Sequence, residues 1–335
     1  MVRELGVFII AEAGVNHDGS LEQAHRLVDA AVESGADAVK FQTFTAELLA
    51  NGAAPRAPYQ QREVGAGSQV EMLRRLELED KAFVELAAHC SRAGIEFMST
   101  PFHKEAADLL EPLVRRFKIG SGDLTDIPLL EHVARKGKPL ILSTGMSGND
   151  EIERALKAVA GSGVPVSLLH CTSLYPAPFD TVNLKAMAGL RARFGVPVGY
   201  SDHTLGLAVP AAAAALGAAI VEKHFTLSRA LKGPDHAASL EPAELRTMVE
   251  MIRQVEVALG DGVKRVMPGE EATRAAARKS LVARRDLPAG TTLGPDMVAA
   301  KRPGTGIPPA DLAKVLGRTL RRDVKADEPL GWDFL

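Results

Sequence analysis

The sequence predicts an α/β fold, a (β/α)₈ barrel, followed by a small, mostly β domain. Three observations carry this. Eight short, β-prone apolar runs alternate with longer stretches of helical period across the first 225 residues. Chemically capable polar residues close nearly every run. After residue 260 the pattern changes to short β-prone pieces separated by turn signals. A doubly wound open sheet is the competing architecture, but it would gather its polar residues at one switch point. A barrel displays them at the C-terminal end of every strand.

The eight runs are 7–11, 38–42, 96–100, 117–120, 140–143, 167–171, 198–201 and 220–224. Helix candidates between them include 21–34, 79–93, 150–160 and 207–216. Ser20 precedes the first of these, and Gln23 follows three residues later, as in a capping box. Ser34-Gly35 ends it, with Gly35 available as the left-handed C′ residue. The longest interval lies between the second and third runs. Its segment 51–69 is rich in Pro, Gly, Ala and Gln and reads as an insertion loop over the barrel mouth. A helix at 242–259 closes the barrel, which is assigned to 1–262. Residues 263–279 read as a linker. The remaining domain, 280–335, is small for independent stability and is expected to lean on the barrel or on another subunit.

Composition narrows the function classes. The 335 residues are 46% apolar and 24% charged, as in ordinary globular proteins. Forty basic against 42 acidic residues give a net charge of −2, which disfavours a nucleic-acid partner. Two cysteines, Cys90 and Cys171, cannot build a disulfide framework, and a reducing, cytoplasmic setting is expected. The longest apolar run, 208–221, holds 14 residues with a Pro and a Gly inside. A membrane span needs roughly 18 or more. The first apolar stretch stops at Glu12 and lacks a signal-peptide pattern.

The strand ends carry the chemistry. Lys40 and Gln42 are two apart and share a face. Lys118 precedes Gly120-Ser121-Gly122-Asp123. Two lysines beside a Gly-Ser-Gly turn, with Thr100 at a nearby strand end, suit an oxyanion, although either lysine could instead serve a structural ion pair. His203 and His224 end neighbouring strands, about 4.8 Å apart, so their imidazoles could share one metal ion or simply be satisfied at a sheet end. Two histidines leave most of an octahedral shell open, which favours an exchangeable Mn²⁺ or Mg²⁺ over structural zinc. Glu12 and Asp123 could bind hydroxyls or handle a proton. Glu222 could be a barrel-interior ion partner. His170 reads as core-adjacent and His103 as a loop residue. Cys171 follows His170 but points the opposite way in a strand, which argues against a Cys–His nucleophile. There is no Walker loop and no Gly-x-Gly-x-x-Gly after the first run.

The blocks Ile10-Ala11-Glu12-Ala13-Gly14-Val15-Asn16-His17-Asp18-Gly19, Val39-Lys40-Phe41-Gln42-Thr43, Lys118-Ile119-Gly120-Ser121-Gly122-Asp123, His170-Cys171-Thr172-Ser173-Leu174-Tyr175-Pro176, Tyr200-Ser201-Asp202-His203-Thr204, Glu222-Lys223-His224-Phe225-Thr226 and Gly233-Pro234-Asp235-His236 resemble the sialic acid synthase family. The order of these blocks and their near-complete coverage of the chain make the match specific. The C-terminal piece resembles that family's antifreeze-like (SAF) domain, most clearly at Lys301-Arg302-Pro303-Gly304. Two positions depart from the family pattern: Asp123 stands where some bacterial members carry Glu, and Ser173 where they carry Asn.

The resemblance implies condensation of phosphoenolpyruvate with an N-acetylmannosamine-type aldehyde to give a sialic acid and phosphate. The acceptor could also be the 6-phosphate, or a 2,4-diacetamido-trideoxymannose that leads to legionaminic acid. It further implies that Mn²⁺ or Mg²⁺ sits on His203 and His224, the latter also catalytic with Glu12 and Asp123. Lys40, Thr100, Lys118 and Ser121 would hold the carboxylate of phosphoenolpyruvate, and Ser173 and Ser201 its phosphate. Gln42, Tyr175 and Asp235 would position the sugar. In a homodimer with exchanged SAF domains, Arg302 would reach the partner's sugar pocket. Rival readings are a Schiff-base aldolase on Lys118 or Lys40, and a carbohydrate-binding protein whose working part is the SAF module.

Overall fold

The structure, a computed structural model, describes residues 6–335. Eight parallel strands form the first unit's sheet: β1 (Phe8–Gly14), β2 (Ala38–Thr43), β3 (Glu96–Pro101), β4 (Phe117–Ile119), β5 (Leu140–Ser143), β6 (Val166–Cys171), β7 (Val198–Asp202) and β8 (Ile220–His224). Their order is β3-β2-β1-β8-β7-β6-β5-β4, and β3 lies beside β4, which closes the ring. The predicted runs and the observed strands differ by at most a few residues at their ends. The helices in chain order are α1 (Leu21–Glu33), α2 (Ala46–Leu49), α3 (Pro58–Val64), α4 (Gln69–Arg74), α5 (Asp80–Ala93), α6 (Lys104–Leu110), α7 (Ile127–Ala134), α8 (Asn149–Ala160), α9 (Ala186–Phe194), α10 (Ala208–Ala215) and α11 (Pro242–Leu259).

Local chemistry explains the boundaries. In α1, Ser20 accepts a bond from the Gln23 N–H at 3.2 Å, which is the Ser20 half of the expected capping box. Ala24, Leu27, Val28 and Ala31 then repeat at helical spacing and are all buried. Every residue of β1, β5, β7 and β8 is buried, because a parallel barrel strand is covered on both faces.

The period of two organises the barrel interior. Ile10, Ala38, Met98, Ile141, Leu169 and Ile220 belong to one buried cluster that plugs the lower interior. Two residues onward, with the same facing, stand Glu12, Lys40, Thr100, Ser143, Cys171 and Glu222. The other facing, including Ile9, Val39, Phe97, Leu142 and Val221, packs in the large cluster shared with the helices. A polar layer therefore rests directly on an apolar plug.

The interval after β2 is an insertion, as expected, but it is not a loop throughout. It contains α3 and α4. Pro58 opens α3, where its missing N–H costs nothing, and the Gln60 side chain accepts from the Ala57 N–H. Val70, Met72, Leu73 and Leu76 pack with Val15 and Phe44 in a small separate core.

A second compact unit spans Asp261–Leu335. Its sheet pairs β9 (Ser280–Ala283) with β10 (Val298–Lys301) antiparallel. Leu281, Leu287, Leu293, Val298, Ile307 and Leu320 belong to its own buried core. A short helix, α13 (Leu312–Val315), follows the Pro308-Pro309 turn. The segment read as a linker contains a helix, α12 (Glu270–Ala277), whose side chains are all exposed. Among the described residues, no helix is long and apolar enough to cross a membrane.

Candidate active site

The C-terminal ends of the strands surround a cavity of about 710 Å³. Strand register sets its floor. Glu12 lies opposite Lys40 on one side and His224 on the other, and Ser201 lies opposite Glu222. Lys40 Nζ stands 2.6 Å from Glu12 Oε2, 3.8 Å from Glu222 Oε2, and donates to Thr100 Oγ1 at 3.0 Å. Lys118 Nζ lies 3.4 Å from Glu222 Oε1, which also accepts from Ser201 Oγ at 3.1 Å. Gln42 Nε2 donates to Glu12 Oε1 at 3.4 Å.

Two carboxylates and two lysines thus meet in one buried layer. The two acids diverge. Burial raises the Glu12 carboxyl to about 7, against the pull of Lys40, with the Glu222 charge adding to the rise. Burial also opposes ionisation of Glu222, but Lys118 and Lys40 outweigh it and hold that carboxyl down, at about 2. Burial lowers the Lys118 ammonium, whereas Glu12 and Glu222 overcome burial at Lys40 and raise it.

A hydroxyl-rich wall faces this layer. The Gly145 N–H donates to Ser121 Oγ at 3.0 Å, and Cys171 Sγ lies 3.1 Å from that oxygen. A Cβ on Gly145 would come within 3.0 Å of the Ser121 and Ser173 oxygens and the Cys171 sulfur, so only glycine fits there. Ser143 Oγ is buried, has no partner and lines the cavity. Such an orphaned donor waits for a ligand oxygen.

The opposite wall is aromatic. Tyr175 packs on His203 with centroids 4.1 Å apart, and Tyr59 of α3 stacks on Tyr175 at 4.8 Å. Arg62 of α3 donates to the Tyr175 carbonyl at 3.2 Å. The insertion therefore forms one side of the mouth.

His203 and His224 both line the cavity, with ring centroids 5.7 Å apart. Burial holds both imidazoles below their usual range and keeps them neutral, the form a metal needs. His203 Nδ1 donates to the Thr172 carbonyl at 2.7 Å, which leaves Nε2 with its lone pair. His224 Nδ1 is buried without a partner. The chemistry of this donor pair fits a divalent ion, which the two imidazoles would help to hold. Among the described residues no cluster of three or more His, Cys, Asp or Glu is arranged around a metal position.

The cavity wall gathers Glu12, Lys40, Gln42, Thr100, Lys118, Ser121, Ser173, Tyr175, Ser201, His203 and His224. Asp123 and Asp235 do not line it. Asp123 sits in a short 3₁₀ turn with an unpartnered buried Oδ2, and burial, then Asp126, raises its carboxyl to about 7. Asp235 is buried, and desolvation raises it to about 6. Arg302 belongs to the second unit, is exposed, and donates to the Ala277 carbonyl at 2.9 Å. His170 bonds the Val182 carbonyl at 2.8 Å, away from the cavity. Sequence reasoning missed Ser143, Tyr59 and Arg62 as site residues. Ser143 had a usable signal, since it follows the inward-facing Ile141 by two.

A barrel mouth with buried paired charges, a hydroxyl wall and two neutral imidazoles defines an enzyme centre for an oxygen-rich anionic substrate. The comparisons with known proteins agree. The NeuB family model matches residues 27–264, and the SAF domain model matches 278–335. The N,N'-diacetyllegionaminic acid synthase of Legionella pneumophila is 46% identical, covering 98% of this chain and 94% of that one. The human N-acetylneuraminate-9-phosphate synthase is 38% identical over 96% of this chain and 91% of its own. The crystal structure of an N-acetylneuraminic acid synthetase from Leptospira borgpetersenii, in complex with citrate, superimposes with a TM-score of 0.71 at 35% identity, covering 80% and 90% of the two chains. The chain belongs to the NeuB family, the sialic acid synthases, and is an enzyme of that class with a C-terminal SAF domain.

Proposed function

We propose that the enzyme condenses phosphoenolpyruvate with 2,4-diacetamido-2,4,6-trideoxymannose and water to give N,N'-diacetyllegionaminic acid and phosphate. The observation that carries the chemistry is the buried lysines Lys40 and Lys118 in one cavity with the unpaired Ser143 hydroxyl and two neutral imidazoles. The choice of sugar is supported by the names of the relatives at 46% identity, from Legionella pneumophila and Campylobacter jejuni. N-Acetylmannosamine is the second reading, supported by the name of the Leptospira structure.

Carbon 3 of phosphoenolpyruvate forms a bond to the aldehyde carbon, and the aldehyde oxygen takes a proton. Water adds at carbon 2, and the tetrahedral intermediate loses phosphate with its bridging oxygen. Lys40, Lys118, Thr100 and Ser121 hold the carboxylate, while Ser143, Ser173 and Ser201 surround the phosphate. Glu12, with its carboxyl near neutrality, gives and takes protons at this end of the cavity. Gln42 and Tyr175 orient the sugar, while Asp123 and Asp235, off the cavity wall, have no direct contact with it in this reading. Mn²⁺ or Mg²⁺ bound by His203 and His224 would supply Lewis acidity toward the aldehyde oxygen. Alignment and charge placement provide most of the acceleration.

A homodimer in which each SAF domain caps the partner's mouth completes the proposal, with Arg302 reaching the sugar. Support comes from the barrel's rim. Met146, Leu174, Phe179 and Leu205 lie on the loops after β5, β6 and β7 and are 74%, 47%, 65% and 52% exposed. Large apolar side chains grouped on such loops call for a cover.

Phosphate release with Mn²⁺ across three acceptors, N-acetylmannosamine, its 6-phosphate and the 2,4-diacetamido sugar, tests the reading. Release that is fastest with the diacetamido sugar is the expected result. Preference for another acceptor would replace the sugar, and silence with all three would reject the reaction.

A further inference from the structure

The buried ion pair Asp202–Lys223 takes no part in the chemistry above. Ser201 and Glu222, one residue earlier on each strand, line the cavity. Asp202 and Lys223 therefore point the other way, with Tyr200 and Val221, which pack in the large core cluster. Each is 1% exposed. The paired register of β7 and β8 ends at Asp202 opposite Lys223. The next residue on each strand is one of the two imidazoles, His203 and His224.

Lys223 Nζ donates to Asp202 Oδ2 and, at 2.6 Å, to the Thr204 carbonyl. Asp202 also accepts from the Thr204 N–H through Oδ1 at 3.0 Å and from the Thr204 hydroxyl through Oδ2 at 3.1 Å. Thr204 is fully buried. The turn from Asp202 to Thr204 is thus closed around His203, and Lys223 carries a cross-strand bond past the last paired residues. Core packing does not call for this arrangement. Two apolar side chains here would escape the desolvation cost of an ion pair. Directed bonds, fully satisfied, fix a position more sharply than apolar contacts do. The other restraints on the two histidines run to different neighbours. His203 Nδ1 donates to the Thr172 carbonyl, and the His203 carbonyl accepts from the Ala177 N–H at 2.8 Å. The His224 carbonyl accepts from the Leu240 N–H at 2.9 Å. The Asp202–Lys223–Thr204 network joins the two strand ends to each other.

We propose that Asp202, Lys223 and Thr204 form a buried staple of positioning residues that sets the spacing of the His203 and His224 imidazoles for a shared divalent ion. The inference rests on the two-histidine reading of the ion site above.

Mn²⁺ binding to the full-length protein without substrates, followed by the electron paramagnetic resonance of free Mn²⁺, tests it. Lys223→Met alone leaves the Asp202 charge buried without a partner and endangers folding, so the main variant is Asp202→Asn with Lys223→Met, which removes both charges. Its Mn²⁺ dissociation constant is expected to rise about tenfold, the lower end of the cost of losing a ligand-orienting contact. The KM for phosphoenolpyruvate stays within about twofold. Thr204→Val, which keeps both charges and removes only the hydroxyl bond, falls between this variant and the wild type. Val221→Ala, on the same face of β8, controls for a merely loosened barrel. It should lower stability to urea while leaving Mn²⁺ affinity within about twofold. Wild-type affinity in the Asp202→Asn, Lys223→Met protein overturns the staple, as does an equal loss of affinity in Val221→Ala. His203→Ala checks the ion reading separately: Mn²⁺ binding unchanged by that substitution would reject the shared ion and, with it, the purpose assigned to the staple.

Discussion

Lys40 stands between two carboxylates whose titrations are pushed in opposite directions, and this contrast is the centre's main electrostatic fact. One acid stays charged and holds the lysines; the other is free to exchange a proton near neutrality. Glu12→Gln should therefore cost about 100-fold or more in kcat while leaving the KM for phosphoenolpyruvate nearly unchanged, by steady-state kinetics. His203→Ala and His224→Ala should each remove Mn²⁺-stimulated turnover with the far-UV spectrum intact. Full stimulation in either variant would contradict a shared ion. Asp123 has a pH signature. Its carboxyl titrates near 3.8 when unperturbed and at about 7 in the folded protein. The folded state holds the extra proton in that window, so its stability falls as pH rises from about 4 to about 7. Asp123→Asn should flatten this slope and stabilise the protein above pH 7 by a few kcal/mol, on the order of 1.4 per pH unit, with little change at pH 4, as read by urea melts. Most of these side chains were legible because strand ends and residue types suffice to suggest an anion site. Ser143 was passed over because a lone serine has no chemical distinction until its facing is known. Tyr59 and Arg62 were invisible for another reason: only tertiary packing brings α3 onto Tyr175.

Elements carry the site through parity and through the insertion. The strands were readable because barrel strands are short, apolar and followed by chemically distinctive residues. The insertion misled because its Pro, Gly and Gln content resembles a loop, whereas Pro58 in fact starts a helix. What holds that segment together is Arg56, which is buried and donates to the carbonyls of Ser68, Val64 and Gly65 at 3.2, 3.0 and 2.8 Å. Arg56→Ala removes these three bonds and leaves the Ser68 carbonyl with only the Met72 N–H. Trypsin cleavage at Arg62 should then accelerate several-fold, while cleavage within the barrel stays slow. Equal rates would mean that the small core of Val70, Met72 and Leu73 suffices alone. The α12 segment reads as linker for a comparable reason. Its charged, alanine-rich sequence has no buried stripe within its own unit.

At the scale of the whole molecule, an apolar barrel plug carries a polar reaction layer, and the SAF domain is a separate compact unit. The proposed exchange of SAF domains makes a complementation prediction. Arg302→Ala chains mixed with His224→Ala chains should recover a fraction of wild-type activity, because a heterodimer contains one intact site. No recovery from heterodimers verified by mass would contradict capping in trans. In the proposed reaction, phosphate leaves with the bridging oxygen of phosphoenolpyruvate after carbon–carbon bond formation. This is tested most directly with phosphoenolpyruvate carrying ¹⁸O at that bridge, the diacetamido acceptor and Mn²⁺, with and without EDTA. The expected outcome is ¹⁸O in the released phosphate, none in the sugar acid, and no release without acceptor or after chelation. Label retained in the sugar acid, or phosphate released without an acceptor, would contradict it.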